Sequence, residues 1–240
     1  MHAISGTGHY FRRVISLLAI ESTGPPVETQ NFEAERRRMV AQQIERRGIC
    51  DRRVLEAMRQ VPRHEFVPTA VKTRAYNDHP LPIGFGQTIS QPFIVAFMVE
   101  HLLLKGTDRV LELGTGSGYQ AAILSKLVAQ VFSIEIIDEL SRRASADFQR
   151  LGYRNIFLKS GDGYEGWPEF APFDAITVAA ATDQVPQPLI AQLREGGRMV
   201  IPVGDAFEQN LLLIEKRLGA LRKRVMCPVR FVPFTRKAGD

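Results

Sequence analysis

Three glycines and a carboxylate stand together at a spacing suited to binding a small charged ligand. Gly114, Gly116 and Gly118 follow the apolar run 110–113. Because they lack Cβ atoms, they allow a sharp turn and bring bare backbone to a ligand. Glu112 lies two residues before the first glycine, where its charge repels a pyrophosphate and attracts an ammonium group. The pattern therefore favours a cationic ligand with an amino acid moiety, such as S-adenosylmethionine, over a dinucleotide, whose G-x-G-x-x-G spacing differs.

Two more groups of residues follow predicted strands in the same way. Glu135 lies near the end of the run 131–136, where its carboxylate can accept hydrogen bonds from both hydroxyls of a ribose. Asp162 and Gly163 follow the run 156–158, where a short acceptor beside glycine suits an adenine amino group. One glycine-rich turn alone is often only a tight loop, but three such pieces in order fit the crevice at the carboxyl edge of an open α/β sheet.

The elements that position these residues are predicted from apolar runs and their periodicity. Short unbroken apolar runs are typical of parallel strands buried on both faces, and helical spacing follows the glycine turn over residues 119–127. Further strands are predicted at 173–180, 198–203, 210–215 and 231–235, and helices at 31–48, 51–58, 91–104 and 188–193. The predicted fold is α/β: a doubly wound, mostly parallel, Rossmann-like sheet of the class I S-adenosylmethionine-dependent methyltransferase type, with an N-terminal helical addition.

The length of 240 residues fits one α/β domain with small additions. We expect residues 31–240 to form it, with a helical, substrate-side region at 31–108 and the cofactor-binding core and closing strands at 109–240. Residues 1–30 contain a short apolar run after two arginines, but this run lacks a small-x-small cleavage site and is too short to cross a bilayer. We expect them to form a disordered extension.

Charge and cysteine content set expectations about partners. Part of the positive charge behind the net +5 lies in arginine clusters at 36–38, 46–47 and 52–53, which are typical of solvated helix faces and have no interleaved aromatic residues to stack on bases. Cys50 and Cys227 show no metal-ligand or disulfide spacing. We expect a cytoplasmic monomer with no nucleic-acid partner, no membrane partner and no metal.

Ser90 precedes the predicted helix 91–104 and has two possible roles. With Pro92 in the first turn of that helix, Ser90 is a candidate N-cap. A hydroxyl beside free helix N–H groups also suits a substrate carboxylate. The two roles are compatible, and position alone slightly favours the cap.

The segment after the fourth predicted strand argues against two kinds of methyltransferase. Enzymes that methylate the amino groups of adenine or cytosine place an Asn/Asp-Pro-Pro-aromatic element there, whereas residues 180–186 read Ala-Ala-Thr-Asp-Gln-Val-Pro. Methylation at C5 of cytosine needs a thiolate nucleophile, and neither cysteine lies near the predicted cofactor edge.

Several motifs together resemble those of one enzyme family. They are residues 84–92, 112–118, 161–163, 185–186, 196–198, 201–204 and 231–233. Between residues 35 and 235 the chain resembles the protein-L-isoaspartate (D-aspartate) O-methyltransferase family. The Gln-Thr-Ile-Ser-Gln-Pro element at 87–92 is the specific motif, since the glycine motifs occur in most class I methyltransferases. Residues 1–29 fall outside the resemblance.

The resemblance implies methyl transfer from S-adenosylmethionine to the free carboxylate of L-isoaspartyl residues in damaged proteins and peptides. The resulting ester closes to a succinimide, which starts repair. The resemblance also implies that Ser90 is the active-site residue, and we expect Thr88 and Thr235 to help bind the substrate. No general base is expected, because a carboxylate is already ionised near neutral pH.

The cofactor assignments combine the resemblance with the spacing of the motifs. Glu112 and the glycine turn are assigned to the methionine end, Glu135 to the ribose, and Asp162 with Gly163 to the adenine. Two alternatives remain open: a methyltransferase acting on RNA or a small molecule, suggested by the arginine-rich first helix, and a non-enzymatic module that binds S-adenosylmethionine without turnover.

Overall fold

The computed structural model describes residues 31–236, which lie within one compact unit, Asn31–Asp240. The extension predicted at residues 1–30 lies outside the described residues. The strands are β1 Leu81–Gly84, β2 Gln87–Ile89, β3 Arg109–Leu113, β4 Gln130–Glu135, β5 Ile156–Ser160, β6 Phe173–Val178, β7 Leu193–Gly204, β8 Gln209–Arg217 and β9 Ala220–Val229. The α-helices are α1 Phe32–Met39, α2 Arg52–Gln60, α3 Pro92–His101, α4 Tyr119–Ser125, α5 Asp138–Arg150 and α6 Gln187–Gln192.

The main sheet has seven strands in the order β5-β4-β3-β6-β7-β8-β9. The first five are parallel to one another, and β8 and β9 add to the β7 edge as antiparallel strands. The chain winds outward from β3 to β5 and then returns to β6 on the other side of β3. Ligands of open α/β sheets bind where the winding direction reverses, so the carboxyl ends of β3, β4 and β6 are the place to look for a site. The predicted fold class is confirmed.

The central strands are buried because helices cover both faces of the sheet. All but one of the residues of β3 and of β4 are buried, and the apolar residues fall into two core clusters, one on each face. Strands buried on both faces need apolar side chains at nearly every position. This explains why unbroken apolar runs identified them in the sequence.

The N-terminal helical region begins and ends at the predicted residues. Asn31 caps α1 by accepting a hydrogen bond from the Ala34 backbone N–H at 3.0 Å, and Gly48 ends the segment in the left-handed conformation with φ 99°. Between them α1 continues as a π-helical turn, Val40–Ile44, and then a 3₁₀ turn. Asp51 caps α2 as predicted. The single helix expected at 31–48 is therefore a helix with an irregular second half.

The closing strands differ from the prediction at the second strand. The strand expected at 210–215 is β8, but the last strand is β9, and residues 231–235 make only an isolated bridge between Ala181 and Pro233. β9 carries consecutive cations at 222–224, as an edge strand tolerates, so its sequence does not read as a strand. Gly196 and Gly197, which stand between the predicted helix 188–193 and the predicted strand 198–203, lie within β7, where the register with β6 shifts.

A two-stranded antiparallel hairpin, β1 and β2, precedes α3 and was not predicted. It carries the Gln-Thr-Ile part of the 87–92 element to the carboxyl edge of the main sheet. Across residues 31–236, no helix has the length and apolar character needed to cross a membrane.

Candidate active site

A pocket of about 810 Å³, open at its mouth, lies at the carboxyl ends of β3, β4 and β6. The glycine turn, the hairpin and residues 232–235 form its walls. Of the residues selected from the sequence, the pocket is lined by Thr88, Ser90, Gly114, Gly116, Glu135, Gly163 and Thr235.

The glycine turn runs from the end of β3 to the start of α4. The Gly114 N–H donates to the Ile134 carbonyl oxygen at 2.9 Å, which ties the turn to β4. Gly114 and Gly116 both have positive φ and both line the pocket. Gly118 does not line it. A Cβ at Gly118 would lie 2.7 Å from Phe148 Cε1, so this glycine admits the packing of α5 against the turn.

Glu135 ends β4 and faces the pocket while remaining only 4% exposed. Its Oε2 accepts a hydrogen bond from the Gly116 N–H at 2.7 Å, and its Oε1 accepts one from the Ile137 N–H at 3.0 Å. A carboxylate has about four acceptor positions, so these two bonds leave capacity for two further donors. The carboxylate is thus held by the backbone in a position suited to a diol.

Glu112 is placed differently from the direct ligand that the sequence suggested. It is fully buried and is not among the residues that line the pocket. In β3 it stands between Ser133 of β4 and Thr177 of β6, so its side chain lies in a polar row across the sheet beneath α4. Ser133 Oγ donates to Glu112 Oε2 at 2.6 Å, and burial raises the pKa of Glu112 to about 8.

Glu112 still communicates with the pocket through two lining residues. Thr115 Oγ1 and Ser133 Oγ are 2.6 Å apart, which extends the Ser133–Glu112 bond to the glycine turn. Gln120 lies close enough to the Glu112 carboxylate to lower its pKa, and its side chain donates to Thr177 Oγ1 at 3.2 Å. The carboxyl group therefore orders polar side chains of the pocket wall rather than forming part of that wall.

The loop after β5 places Gly163, but not Asp162, against the pocket. A Cβ at Gly163 would lie 3.1 Å from Leu113 Cδ2 and 3.6 Å from Phe234 Cζ, so the bare backbone is what fits there. Asp162 Oδ1 accepts a hydrogen bond from the Tyr164 N–H at 2.9 Å, and Oδ2 lies 3.2 Å from Arg236 Nε. Asp162, the predicted adenine acceptor, is therefore bonded to Tyr164 and Arg236 at the rim of the pocket.

Ser90 lies between β2 and α3 and faces two cavities. The N-cap of α3 is Gln91, whose side chain donates to the Asp78 carbonyl oxygen instead of capping, so the cap role considered for Ser90 is wrong. A second cavity adjoins the first and shares Thr88, Ser90, Ala179 and Val232 with it. Its other lining residues are Pro80, Gln91, Ile94 and residues 228–231.

Residues 232–236 form a segment, here called the strap, that crosses the pocket edge. The Ala181 N–H donates to the Val232 carbonyl oxygen at 2.8 Å, and the Phe234 N–H donates to the Ala181 carbonyl oxygen at 2.7 Å. Val232, Pro233, Phe234 and Thr235 line the pocket. The sequence singled out Thr235 but missed the others, because a strand was expected there.

Several other lining residues were not selected from the sequence. They are Gln87, Val95, Thr115, Ser117, Tyr119, Gln120, Ile136, Ile137, Ala179 and Ala180. Most follow directly on a predicted strand or open a predicted helix, and the crevice rule could have selected them by position. In the part of the chain between Asn31 and Arg236, no three His, Cys, Asp or Glu side chains come together as a potential metal site.

Comparison with known proteins identifies the family. Residues 34–239 match the family model described as protein-L-isoaspartate(D-aspartate) O-methyltransferase. A protein named protein-L-isoaspartate O-methyltransferase 1 from Syntrophobacter fumaroxidans is 54% identical over 209 residues, which cover 87% of this chain and 98% of that protein. A relative from Opitutus terrae is 52% identical over 225 residues, covering 93% of this chain and 97% of the relative.

A solved structure agrees with the sequence comparisons. It is a Plasmodium falciparum protein, described as a protein-L-isoaspartate O-methyltransferase and bound to S-adenosyl-L-homocysteine. The TM-score is 0.75 at 27% identity, and the match covers 84% of this chain and 99% of the other. With a matching family model, two relatives above half identity and the same fold, the chain belongs to the protein-L-isoaspartate(D-aspartate) O-methyltransferase family.

Proposed function

We propose that this protein transfers a methyl group from S-adenosylmethionine to the free carboxylate of L-isoaspartyl residues in damaged proteins and peptides. It is a protein carboxyl O-methyltransferase, and its ester product closes to a succinimide that reopens in part to aspartate. Family membership and the architecture of the pocket support this function.

The single observation that best supports the assignment is the position of Ser90 between two adjoining cavities. One cavity contains the glycine turn and Glu135, and the other is lined by the hairpin, α3 and residues 228–232. A methyl donor in the first and a peptide carboxylate in the second would meet at Ser90 and Thr88. The Ser90 hydroxyl orients the carboxylate by donating a hydrogen bond and does not act as a nucleophile.

The cofactor fits the residues of the first cavity. Glu135 has acceptor capacity for the two ribose hydroxyls. The backbone at Gly163, where a Cβ would crowd Leu113, accepts the flat adenine, and Asp162 holds that loop. Glu112 acts on the methionine end through Gln120 and Thr115. Bound there, S-adenosylmethionine supplies an electrophilic methyl group on a sulfonium.

The residues of this site catalyse the reaction chiefly by positioning. A carboxylate is ionised at neutral pH, so no side chain needs to remove a proton. Ser90 and Thr88 hold the attacking oxygen, while the strap and the hairpin enclose the reacting atoms. Excluding water and fixing the line of attack supply most of the rate enhancement in such a site.

The experiment that tests the function uses two synthetic peptides that differ only in isoaspartate or aspartate at one position. Base-labile label transferred from S-adenosylmethionine to the isoaspartyl peptide alone is the expected result. Equal labelling of both peptides, or of neither while calorimetry shows cofactor binding, would contradict the proposal. Transfer to RNA or to a small-molecule acceptor would then become the next test.

The setting of the enzyme is also part of the proposal. Cys50 and Cys227 are both free thiols, which fits a reducing compartment such as the cytoplasm. The enzyme acts as a monomer in this proposal, and one chain can form both cavities that meet at Ser90. Its partners are damaged proteins rather than nucleic acids or membranes.

A further inference from the structure

The chain contains one dipeptide that is itself prone to the damage this family acts on. Asp162–Gly163 is the only Asp-Gly pair, and the sequence contains no Asn-Gly pair. Glycine offers no side chain to hinder its amide nitrogen, so an Asp-Gly pair cyclises more readily than other aspartyl pairs. The pair lies at the cofactor pocket, where a change in backbone length has a direct effect.

Packing explains why a glycine is kept at this hazardous position. A Cβ at residue 163 would lie 3.1 Å from Leu113 Cδ2, closer than an ordinary van der Waals contact. Replacing the glycine would therefore push on the end of β3, directly beside the glycine turn. Packing against Leu113 therefore favours glycine at residue 163.

The surroundings of Asp162 restrain the reaction. Its Oδ1 accepts from the Tyr164 N–H at 2.9 Å, and its Oδ2 lies 3.2 Å from Arg236 Nε. The Arg236 guanidinium also stacks on the Tyr164 ring, 3.8 Å from the ring centroid. The Tyr164 N–H holds one oxygen of the carboxylate and Arg236 of the strap holds the other. The ion pair is partly shielded, because the Asp162 side chain is only 12% exposed. A fixed carboxylate resists the rotation that would bring its carbon to the Gly163 nitrogen.

We propose that Asp162–Gly163 is the self-damage site of this enzyme and that Arg236 of the strap sets its rate of damage.

The chemistry balances without any other reactant. The Gly163 nitrogen attacks Cγ of Asp162, a C–N bond forms, a C–O bond breaks, and one water leaves to give a succinimide. Water then adds to the main-chain carbonyl carbon of residue 162, and its bond to the Gly163 nitrogen breaks. The chain now runs through Cγ with one extra methylene, and the main-chain carbonyl carbon becomes a free carboxylate, which is the chemical group of an isoaspartyl substrate.

The test compares wild type with Arg236→Ala and a matched control, Arg222→Ala, on the exposed edge of β9. Each cofactor-free protein is incubated at neutral pH, and isoaspartate at residue 162 is measured by mass spectrometry with electron-based fragmentation. We expect a several-fold faster rise in Arg236→Ala than in wild type or Arg222→Ala, and slower damage in all three with S-adenosylhomocysteine present. Equal rates in all three proteins, or damage only at other aspartates, would overturn the proposal.

Discussion

The two halves of the site are built in different ways. On the cofactor side, N–H groups of the glycine turn donate to the Ile134 carbonyl oxygen and to the Glu135 carboxylate at the end of β4, within about one strand–helix–strand unit. On the substrate side, Ser90 and the strap come from segments some 140 residues apart in the chain. The strap is held at Ala181 by two backbone hydrogen bonds. The cofactor half is therefore a local property of the sequence, and the substrate half is a property of the folded chain.

Glu135→Ala should show the largest effect, because it affects both the cofactor half and the turn that builds it. The substitution removes the acceptor of the Gly116 and Ile137 N–H groups as well as that of the ribose. Two hydrogen bonds to a charged group are together worth about 3 kcal/mol, so the Kd of S-adenosylhomocysteine should rise about 100-fold or more. Calorimetry measures this, with the exposed Glu139→Ala as control. An unchanged Kd would remove Glu135 from the cofactor site.

Ser90→Ala should impair the substrate half of the site and leave the cofactor half intact. Loss of one positioned donor lowers kcat by about 100-fold, while binding of S-adenosylhomocysteine stays near that of wild type. Steady-state kinetics on an isoaspartyl peptide and calorimetry on the same protein give both numbers, with Ser125→Ala on α4 as the control. If cofactor affinity falls in parallel with kcat, Ser90 supports the pocket structurally and the proposed division of the site is wrong.

Glu112→Gln tests whether Glu112 supports the cofactor wall as a buried, protonated carboxyl group. Burial raises the pKa of Glu112 from the ordinary 4.5 to about 8 in the folded protein. The stability linked to its proton is fully present below pH 4.5 and is lost as pH rises from there to about 8, since the unfolded chain releases the proton first. Glu112→Gln has no carboxyl group to titrate and does not lose this stability. Its free energy of unfolding, relative to that of wild type, should therefore rise by at least about 1 kcal/mol across that pH window.

Denaturant titrations at several pH values test this expectation. Glu139→Gln, at an exposed position on α5, serves as the control and should keep the wild-type pH dependence. A constant difference between Glu112→Gln and wild type across the window would mean that Glu112 is ionised in the folded protein.

Gly118→Ala against Gly152→Ala isolates one contact behind the glycine turn. Both glycines have positive φ, 85° and 77°, so both substitutions carry the cost of a left-handed conformation. Only at Gly118 would the new Cβ meet a neighbour, Phe148, whereas nothing lies within 4 Å at Gly152. The extra loss of stability at Gly118 should be about 1–3 kcal/mol in chemical denaturation. Equal losses of stability at the two positions would show that Phe148 and α5 move aside at no cost in free energy.

The comparison also explains what could be predicted from the sequence. Strands buried on both faces reveal themselves as unbroken apolar runs, and the residue that ends each run lies at the ligand edge, which is how Glu135 was found. The face of the sheet toward which a side chain points is harder to predict from the sequence. Glu112 lies in the run that leads into the glycine turn, yet its side chain joins the polar row between Ser133 and Thr177. That direction depends on the register of three strands, which the sequence does not reveal.

The substrate half was predicted less completely because its elements are short or atypical. β1 and β2 have four and three residues, too few for a clear alternation of polar and apolar side chains. The strap is apolar enough to resemble a strand, and β9 is charged enough to resemble a loop. Ser90 was a candidate from its position before the helix 91–104, and the family resemblance made it the active-site residue. Thr88 and Thr235 were selected beside motifs that carry the resemblance, and the apolar pattern alone would not have found them.

The wall shared by the two cavities has a consequence for redesign. Only Thr88, Ser90, Ala179 and Val232 face both spaces, whereas Pro80, Ile94 and Arg230 face the second cavity alone. A library confined to those last three positions would vary the acceptor while leaving the methyl donor's surroundings intact. Carboxyl esterification could thus be directed to new targets by changing the acceptor cavity alone, because only four residues are shared between that cavity and the cofactor cavity.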